Sequence, residues 1–136
     1  MSPHEVLHPA NWTPARGYAN GIAAEGRMIF TGGLIGWTSD QRFETDDFAA
    51  QAAQALRNVV EVLACAGAKP EHLVRLTWYV TDKQEYLGSL RALGTTYREI
   101  IGRNYPAMAL VQVVALVEDR AKVEIEATAV IPREAP

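Results

Sequence analysis

Two glutamates near the C-terminus are the side chains of this chain whose type and spacing could do chemistry. Glu124 and Glu126 stand two residues apart in KVEIEATAV, a segment that alternates apolar and polar residues as a half-buried strand does. Both carboxylates therefore leave the strand on the face opposite Val123 and Ile125. A carboxylate removed from bulk water is costly unless it is paired or hydrogen-bonded. Solvation, or pairing with Lys122 and arginines, accounts for Glu126, whereas we interpret Glu124 as functional for reasons given below.

Other catalytic groups are sparse. The single cysteine, Cys65, lies in the apolar stretch VEVLACAG with no histidine near it in sequence, which predicts a buried and inert thiol. The three histidines lack the spacing of metal ligands, so we interpret them as surface or capping residues. No metal site is therefore expected at these residues.

Length and charge restrict the classes of function. A chain of 136 residues, about half of them apolar, suits one domain over residues 1–136, with an irregular N-terminal segment over about residues 1–16. The 13 basic and 16 acidic side chains give a net charge of −3, which disfavours nucleic acid as the main partner. No apolar run reaches the roughly 18 residues of a membrane helix. No secretory signal is visible either, so a cytoplasmic protein without membrane contact is expected.

The elements that must position these groups begin with a short strand in RMIFTGGLIG. It ends at Gly32–Gly33, and paired glycines mark a backbone that turns sharply or that something approaches closely. The preceding YANGIAAEG predicts a partner strand, with Glu25 and Gly26 as the hairpin turn. The stretch TDDFAAQAAQALRNVVEVLACAG predicts an amphipathic helix, capped by Thr45 or Asp46 and ended at Gly67.

The C-terminal half continues with a half-buried strand in HLVRLTWYV and a second helix from Asp82 to Gly102. Two strands follow, AMALVQVV and KVEIEATAV, and the intervening VEDRA is interpreted as a hairpin turn. The order β-β-α-β-α-β-β predicts an α+β sandwich, in which two helices cover one face of a mixed sheet.

The strand AMALVQVV is apolar on both faces. Met108 and Leu110 point to one side, while Ala109 and Val111 point to the other. A strand of this kind is covered on both sides, and two helices can cover only one side of the sheet. We therefore expect a second copy of the chain on the other side, which makes the protein a homo-oligomer.

Taken together, these segments resemble the Rid family, the reactive intermediate deaminases, also called the YjgF family. The resemblance runs from about Gly17 to Val130 and rests on GYANG, MIFTGGLIG, FAAQAAQALRNVVEVLACAG, LTWYVTD, YPAMALVQV and KVEIEATAV. It implies a chorismate-mutase-like α+β fold and a homotrimer whose three sheets form a central barrel, with one pocket at each interface. The best-known members hydrolyse enamines and imines such as 2-aminoacrylate, without metal or cofactor, to a 2-oxo acid and ammonia.

The resemblance also implies a set of site residues. In the family, an arginine in a PARS-like motif binds the substrate carboxylate; here the motif reads PAMA, so that Met108 stands in its place, with Leu110 two residues on. Glu124 and a backbone carbonyl of the Gly32–Gly33 turn correspond to the groups that hold the attacking water. Tyr18 in GYANG is the remaining match. Loss of a guanidinium–carboxylate pair costs about 2–5 kcal/mol of binding.

Three hypotheses follow from the missing arginine. In the first, the protein hydrolyses an imine or enamine of a less polar substrate, which Tyr18 orients while Glu124 acts as general base towards water. The apolar pocket of that hypothesis is lined by Met108, Leu110 and Trp37. In the second, Arg16 replaces the missing arginine. In the third, the protein has lost catalysis and binds a small apolar ligand or a partner.

Overall fold

The computed structural model describes residues 2–133, which form a five-stranded sheet and a separate two-stranded sheet near the N-terminus. The strands are β1 (Glu5–Leu7), β2 (Gly21–Ala23), β3 (Arg27–Phe30), β4 (Leu34–Ile35), β5 (Leu73–Val80), β6 (Ala107–Gln112) and β7 (Val123–Ile131). The α-helices are α1 (Phe48–Ala64), α2 (Lys83–Leu87) and α3 (Leu90–Ile100). Because β5 pairs with β6 in parallel and with β7 in antiparallel, the sheet is mixed, and the predicted α+β class is confirmed.

The strand β7 is the centre of the large sheet. It pairs with β3 and β4 along one edge and with β5 along the other, and β6 lies beyond β5. Two predicted hairpins are therefore wrong. The partner of β2 is β1, not β3, and VEDRA belongs to the connection from β6 to β7, two strands that β5 separates. Turn residues indicate where a strand ends, but the partner of that strand depends on contacts far away in sequence.

The first helix begins and ends close to the predicted residues. Its N-cap is Asp47, not Thr45 or Asp46, because the Asp47 carboxylate accepts a hydrogen bond of 2.9 Å from the Ala50 N–H. Just past its end, Gly67 adopts a φ of +77°, a conformation that favours glycine. Cys65, predicted to be buried, is exposed. It follows the last turn of the helix and lies off the buried stripe that ends at Leu63.

The predicted second helix is two helices. Asp82 caps α2 through a hydrogen bond of 2.8 Å from the Gln84 N–H, and the chain breaks between Leu87 and Leu90 before α3 begins. Tyr97 is buried on α3, whereas Leu87 and Leu90, on either side of the break, are exposed. The break shifts the phase of the helix, so that an uninterrupted stripe cannot continue through it.

The core lies between the helices and one face of the sheet. Val123, Ile125 and Ala129 of β7 are fully buried there, while Glu124 and Glu126 leave the opposite face, as predicted. That opposite face, which we call the open face, also carries apolar side chains. Met28 is 64% exposed, Phe30 is 66% exposed and Val111 is 45% exposed. No helix within residues 2–133 has both the length and the apolar character needed to cross a membrane.

Thr31, the residue after β3, ties the glycine pair to the central strand. Its N–H donates to the Ala127 carbonyl at 2.9 Å, and its hydroxyl oxygen accepts from the Ala127 N–H at 2.9 Å. The same hydroxyl donates to the Gly32 carbonyl at 2.8 Å. The sequence analysis did not single out this threonine, although it directly precedes the glycine pair.

We predict that Thr31→Val lowers the free energy of unfolding by about 1–3 kcal/mol, because the Ala127 N–H loses its acceptor in a buried position. Urea denaturation of the variant measures this loss. Thr31→Ser keeps the hydroxyl and is expected to lose less than about 1 kcal/mol. Equal stability of the valine and serine variants would contradict the assigned role of the hydroxyl.

Candidate active site

The residues assigned from sequence, except Gly32, fall into two cavities of one protomer. The first, which we call the aromatic cavity, has a volume of about 560 Å³. Its lining includes Arg16, Tyr18, Trp78, Tyr105, Met108 and Leu110. The second, which we call the carboxylate cleft, has a volume of about 500 Å³. Its lining includes Gly33, Trp37, Asn58, Glu61, Glu118 and Glu124.

Met108 and Leu110 reach the aromatic cavity from β6. Their register partners on β5, Leu76 and Trp78, point towards the helices, and both side chains pack against the core from the same side. Neither the thioether of Met108 nor the isobutyl group of Leu110 can bind a carboxylate. This end of the cavity is therefore apolar.

The segment that carries Tyr18 is held beside the start of β6. The Ala19 N–H donates to the Pro106 carbonyl at 2.9 Å, and Ala19 forms an isolated parallel bridge with Ala107. This attachment brings Tyr18 to the same cavity as Met108, although the two residues lie far apart in sequence. The Arg16 side chain, two residues earlier, is exposed at the cavity.

Gly33 makes room for the carboxylate of Glu124. The strand β4 pairs with β7 so that Ile35 stands opposite Glu124, and the glycine pair stands opposite the single residue Glu126 as a bulge. A Cβ at Gly33 would lie 2.7 Å from Cδ of Glu124 and would overlap its carboxylate. At Gly32, by contrast, nothing lies within 4 Å of such an atom. Gly32 lines neither cavity; its carbonyl accepts the Thr31 hydroxyl.

The two glutamates have different surroundings. The Tyr79 hydroxyl donates to Oε1 of Glu126 at 2.8 Å, whereas Glu124 makes no hydrogen bond or ion pair of its side chain within residues 2–133. Lys122, which the sequence offered as a partner for Glu126, pairs instead with Glu85 at 3.0 Å. Of the two glutamates on β7, Glu124 is therefore the one whose carboxylate is available to a ligand or water.

Tyr79 was missed in the sequence analysis as a partner for these carboxylates. Its hydrogen bond to Glu126 raises the pKa of the phenol, and desolvation and the negative charges of Glu126 and Glu124 raise it further. The hydroxyl therefore stays protonated and remains a donor. The signal that could have found it is the strand alternation, which places Tyr79 on the face of the glutamates.

Trp37 lies in the carboxylate cleft, not with Met108 and Leu110. Asn58 of α1 fastens this segment, because its side-chain amide donates to the carbonyls of Ile35 at 3.0 Å and of Trp37 at 2.8 Å. Met108, Leu110 and Trp37, which were predicted to line one apolar pocket, therefore do not line a common cavity within one protomer. Among residues 2–133, no group of three or more histidine, cysteine, aspartate and glutamate side chains is arranged to hold a metal.

Comparison with known proteins gives one consistent result. The sequence matches the protein family described as Endoribonuclease L-PSP over residues 9–131. A 2-iminobutanoate/2-iminopropanoate deaminase of Salmonella typhimurium is 33% identical over 116 residues, which cover 83% of this chain and 86% of that protein.

Two solved structures extend the comparison to the fold. YyfB of Yersinia pestis, a protein of unknown function in the conserved Rid protein family, superposes with a TM-score of 0.84 at 29% identity. The superposition covers 94% of this chain and 98% of that one. TdcF of Escherichia coli, solved with bound serine, gives a TM-score of 0.66 at 28% identity, over 93% and 98% of the two chains.

We predict that Gly33→Ala and Glu124→Ala are coupled in stability, because the added methyl group occupies the space of the carboxylate. In the wild-type background Gly33→Ala displaces that carboxylate, and in the Glu124→Ala background the methyl group has room. A double-mutant cycle of urea denaturation should give a coupling energy of about 0.5–1.5 kcal/mol.

The matched control is the neighbouring glycine. Gly32→Ala adds its methyl group where nothing lies within 4 Å, so its effect should be the same with and without Glu124. If Gly33→Ala is also insensitive to the presence of Glu124, the assigned contact between Gly33 and the carboxylate does not exist in solution.

Proposed function

Because the chain belongs to the Endoribonuclease L-PSP family, which includes the Rid-type deaminases, we propose that it is a deaminase. Its reaction is the hydrolysis of a reactive imine or enamine to a carbonyl compound and ammonia. The observation that carries the proposal is the state of Glu124. This carboxylate is half-buried, packs against Gly33, and makes no hydrogen bond or ion pair within the described part of the chain. It is free to accept a proton from water.

The reaction consumes one water, and both protons of that water end on the nitrogen. Glu124 takes a proton from the water as its oxygen attacks the carbon of the C=N bond, and the nitrogen is protonated as that double bond opens. The product of this step is a carbinolamine. A second proton then reaches the nitrogen, the C–N bond breaks, ammonia leaves, and the carbonyl group forms as the hydroxyl group gives up its proton.

The aromatic cavity supports a substrate with a less polar body than the 2-imino acids named for the Salmonella relative. Met108 and Leu110 offer it apolar surface, and Tyr18 is placed to orient it. The volume of about 560 Å³ lies within the range of small-molecule sites, roughly 300–1,000 Å³.

The site requires a second copy of the chain. Within one protomer, Tyr18 and Met108 lie in the aromatic cavity while Gly33 and Glu124 lie in the carboxylate cleft. The apolar side chains of the open face favour contact with another protomer. We propose a homotrimer in which the cleft of one protomer meets the aromatic cavity of the next, as the resemblance to the Rid family implies.

Charge favours small-molecule chemistry over the ribonuclease activity in the family description. The chain has a net charge of −3, and the carboxylate cleft contains Glu61, Glu118 and Glu124. A surface of this kind repels the phosphate backbone of RNA, whose binding requires lysines and arginines.

We predict that Glu124→Gln lowers the rate of imine hydrolysis by about 100-fold or more, as the loss of a general base does. Ammonia release is followed while an amino-acid oxidase generates imines in the assay from amino acids with small, aliphatic and aromatic side chains. Glu126→Gln, two residues on, keeps an acceptor for Tyr79 and should retain activity within about 10-fold.

If the wild type accelerates imine hydrolysis and Glu124→Gln is equally active, Glu124 is not the base. A wild type without activity on any imine of the panel would reject the deaminase proposal and favour the small-molecule binding protein. The same assay on Met108→Arg shows whether restoring the guanidinium restores activity on small 2-imino acids.

We predict that two inactive variants complement each other when they assemble together. A site shared between protomers is intact wherever a protomer with native Glu124 meets one with native Tyr18. Co-expression of Glu124→Gln with Tyr18→Ala in equal amounts should therefore restore about a quarter of the wild-type sites in randomly mixed trimers.

The control is a mixture of the two purified variants that is assayed before subunits exchange, which should stay inactive. If co-expressed chains form mixed trimers but remain inactive, both residues act within one protomer and the proposed shared site is wrong. Light scattering after size-exclusion chromatography measures the number of chains in the assembly.

A further inference from the structure

The aromatic cavity has a charge that the proposed reaction does not use. Within residues 2–133, its lining includes two charged side chains, Arg16 and Arg98, and no carboxylate. Neither guanidinium forms an ion pair with the described residues. Since a guanidinium holds a carboxylate by two parallel hydrogen bonds, an unpaired arginine beside an apolar cavity suits an anionic ligand.

Arg98 is directed to the cavity by its own helix. It lies one turn after Gly94 on α3, and its Nη1 lies 3.4 Å from the position that a Cβ at Gly94 would take. The guanidinium therefore folds back along the helix over Gly94, which also lines the cavity. Glycine is unfavourable inside a helix, and here it leaves open the space beside the guanidinium.

The end of the helix that carries Arg98 is fixed by contacts of the neighbouring residue. The neighbouring Tyr97 is buried, donates its hydroxyl to the Asn104 carbonyl, and stacks on Tyr105 with ring centroids 5.4 Å apart and planes 9° apart. These contacts fix the end of α3 against the cavity. Both arginine side chains are exposed, but Arg16 lies in the connection between β1 and β2, outside any helix or strand.

A second observation also indicates a ligand. Trp78 lines the cavity and is only 5% exposed, yet its indole N–H has no hydrogen-bond partner within the described residues. Buried donors are nearly always paired. An acceptor atom on a bound molecule that reaches the indole would satisfy this donor.

We infer that Arg98 is the anion-binding and specificity-determining residue of this chain, in place of the arginine that is missing at Met108. The substrate class is then a 2-imino acid with a large, preferably aromatic, side chain. Its carboxylate lies at Arg98, and its side chain lies in the cavity against Met108 and Leu110. This inference rests on the proposed deaminase function, and it assigns Arg98 to binding and orientation, not to proton transfer.

The test is titration calorimetry on the assembled wild-type protein with three unreactive probes. Phenylpyruvate carries both the carboxylate and the aromatic group, phenylacetone lacks the carboxylate, and pyruvate lacks the aromatic group. We expect phenylpyruvate to bind at least about 10-fold more tightly than either of the others. Arg98→Gln should abolish the preference over phenylacetone and leave the affinity for phenylacetone unchanged.

The matched control is Arg91→Gln, which removes an exposed arginine of the same helix that does not line the cavity. It should keep the preference. Arg98→Lys keeps the charge without the planar pair of donors and should retain part of the preference. If Arg98→Gln does not fold, Arg98→Lys replaces it as the test variant. Full retention of the preference by Arg98→Lys would then overturn the role of the guanidinium.

Two results overturn the inference. In the first, Arg98→Gln retains the preference for phenylpyruvate over phenylacetone. In the second, Arg16→Gln removes that preference and Arg98→Gln does not. Deaminase activity on small imines without binding of phenylpyruvate overturns it as well, and leaves the proposed function standing. Binding of phenylpyruvate that depends on Arg98, in a protein without deaminase activity, would support the anion site and overturn the proposed function.

Discussion

The alternation of side chains along β7 constrains the whole structure. Val123, Ile125 and Ala129 are fully buried beneath the helices, and the residues between them face the other way. A shift of one residue in the pairing of this strand would bury Glu124 and Glu126 in the core and expose the apolar set. Since β7 pairs with three other strands, its register also sets the positions of β3, β4 and β5.

The same strand determines how the two carboxylates differ. Tyr79 stands opposite Glu124 in register, but its hydroxyl reaches Glu126 and leaves Glu124 without a partner in the described chain. On the other edge of β7, the bulge at the glycine pair brings the backbone of Gly33 against Glu124. One glutamate is thus hydrogen-bonded within the sheet, and the other contacts Gly33 without a hydrogen bond of its side chain in the described chain.

Met108 carries no charge, but the aromatic cavity is not without cations. Arg16 and Arg98 lie at its lining, and Arg98 is carried there by a helix whose packing depends on Tyr97. A guanidinium that enters from a helix faces a bound molecule from another direction than one that enters from β6. This arrangement of charge beside apolar surface is the basis of the proposed anion site at Arg98.

Local pattern was enough to identify most of the elements and some of the site. The alternation in KVEIEATAV, the glycine pair, the stripe of the first helix and the stop at Gly67 all depend on residues close in sequence, and each was predicted correctly. The motif PAMA, with its uncharged Met108, is likewise visible in the sequence itself.

Only the tertiary structure decided which elements meet. It separated β6 from β7, paired β2 with β1, exposed Cys65, and split the second helix into α2 and α3. It also divided the predicted site between two cavities and brought Arg98 to one of them. The physical reason is that periodicity is a local property of the backbone, whereas strand pairing and the sharing of a cavity depend on packing between residues far apart in sequence.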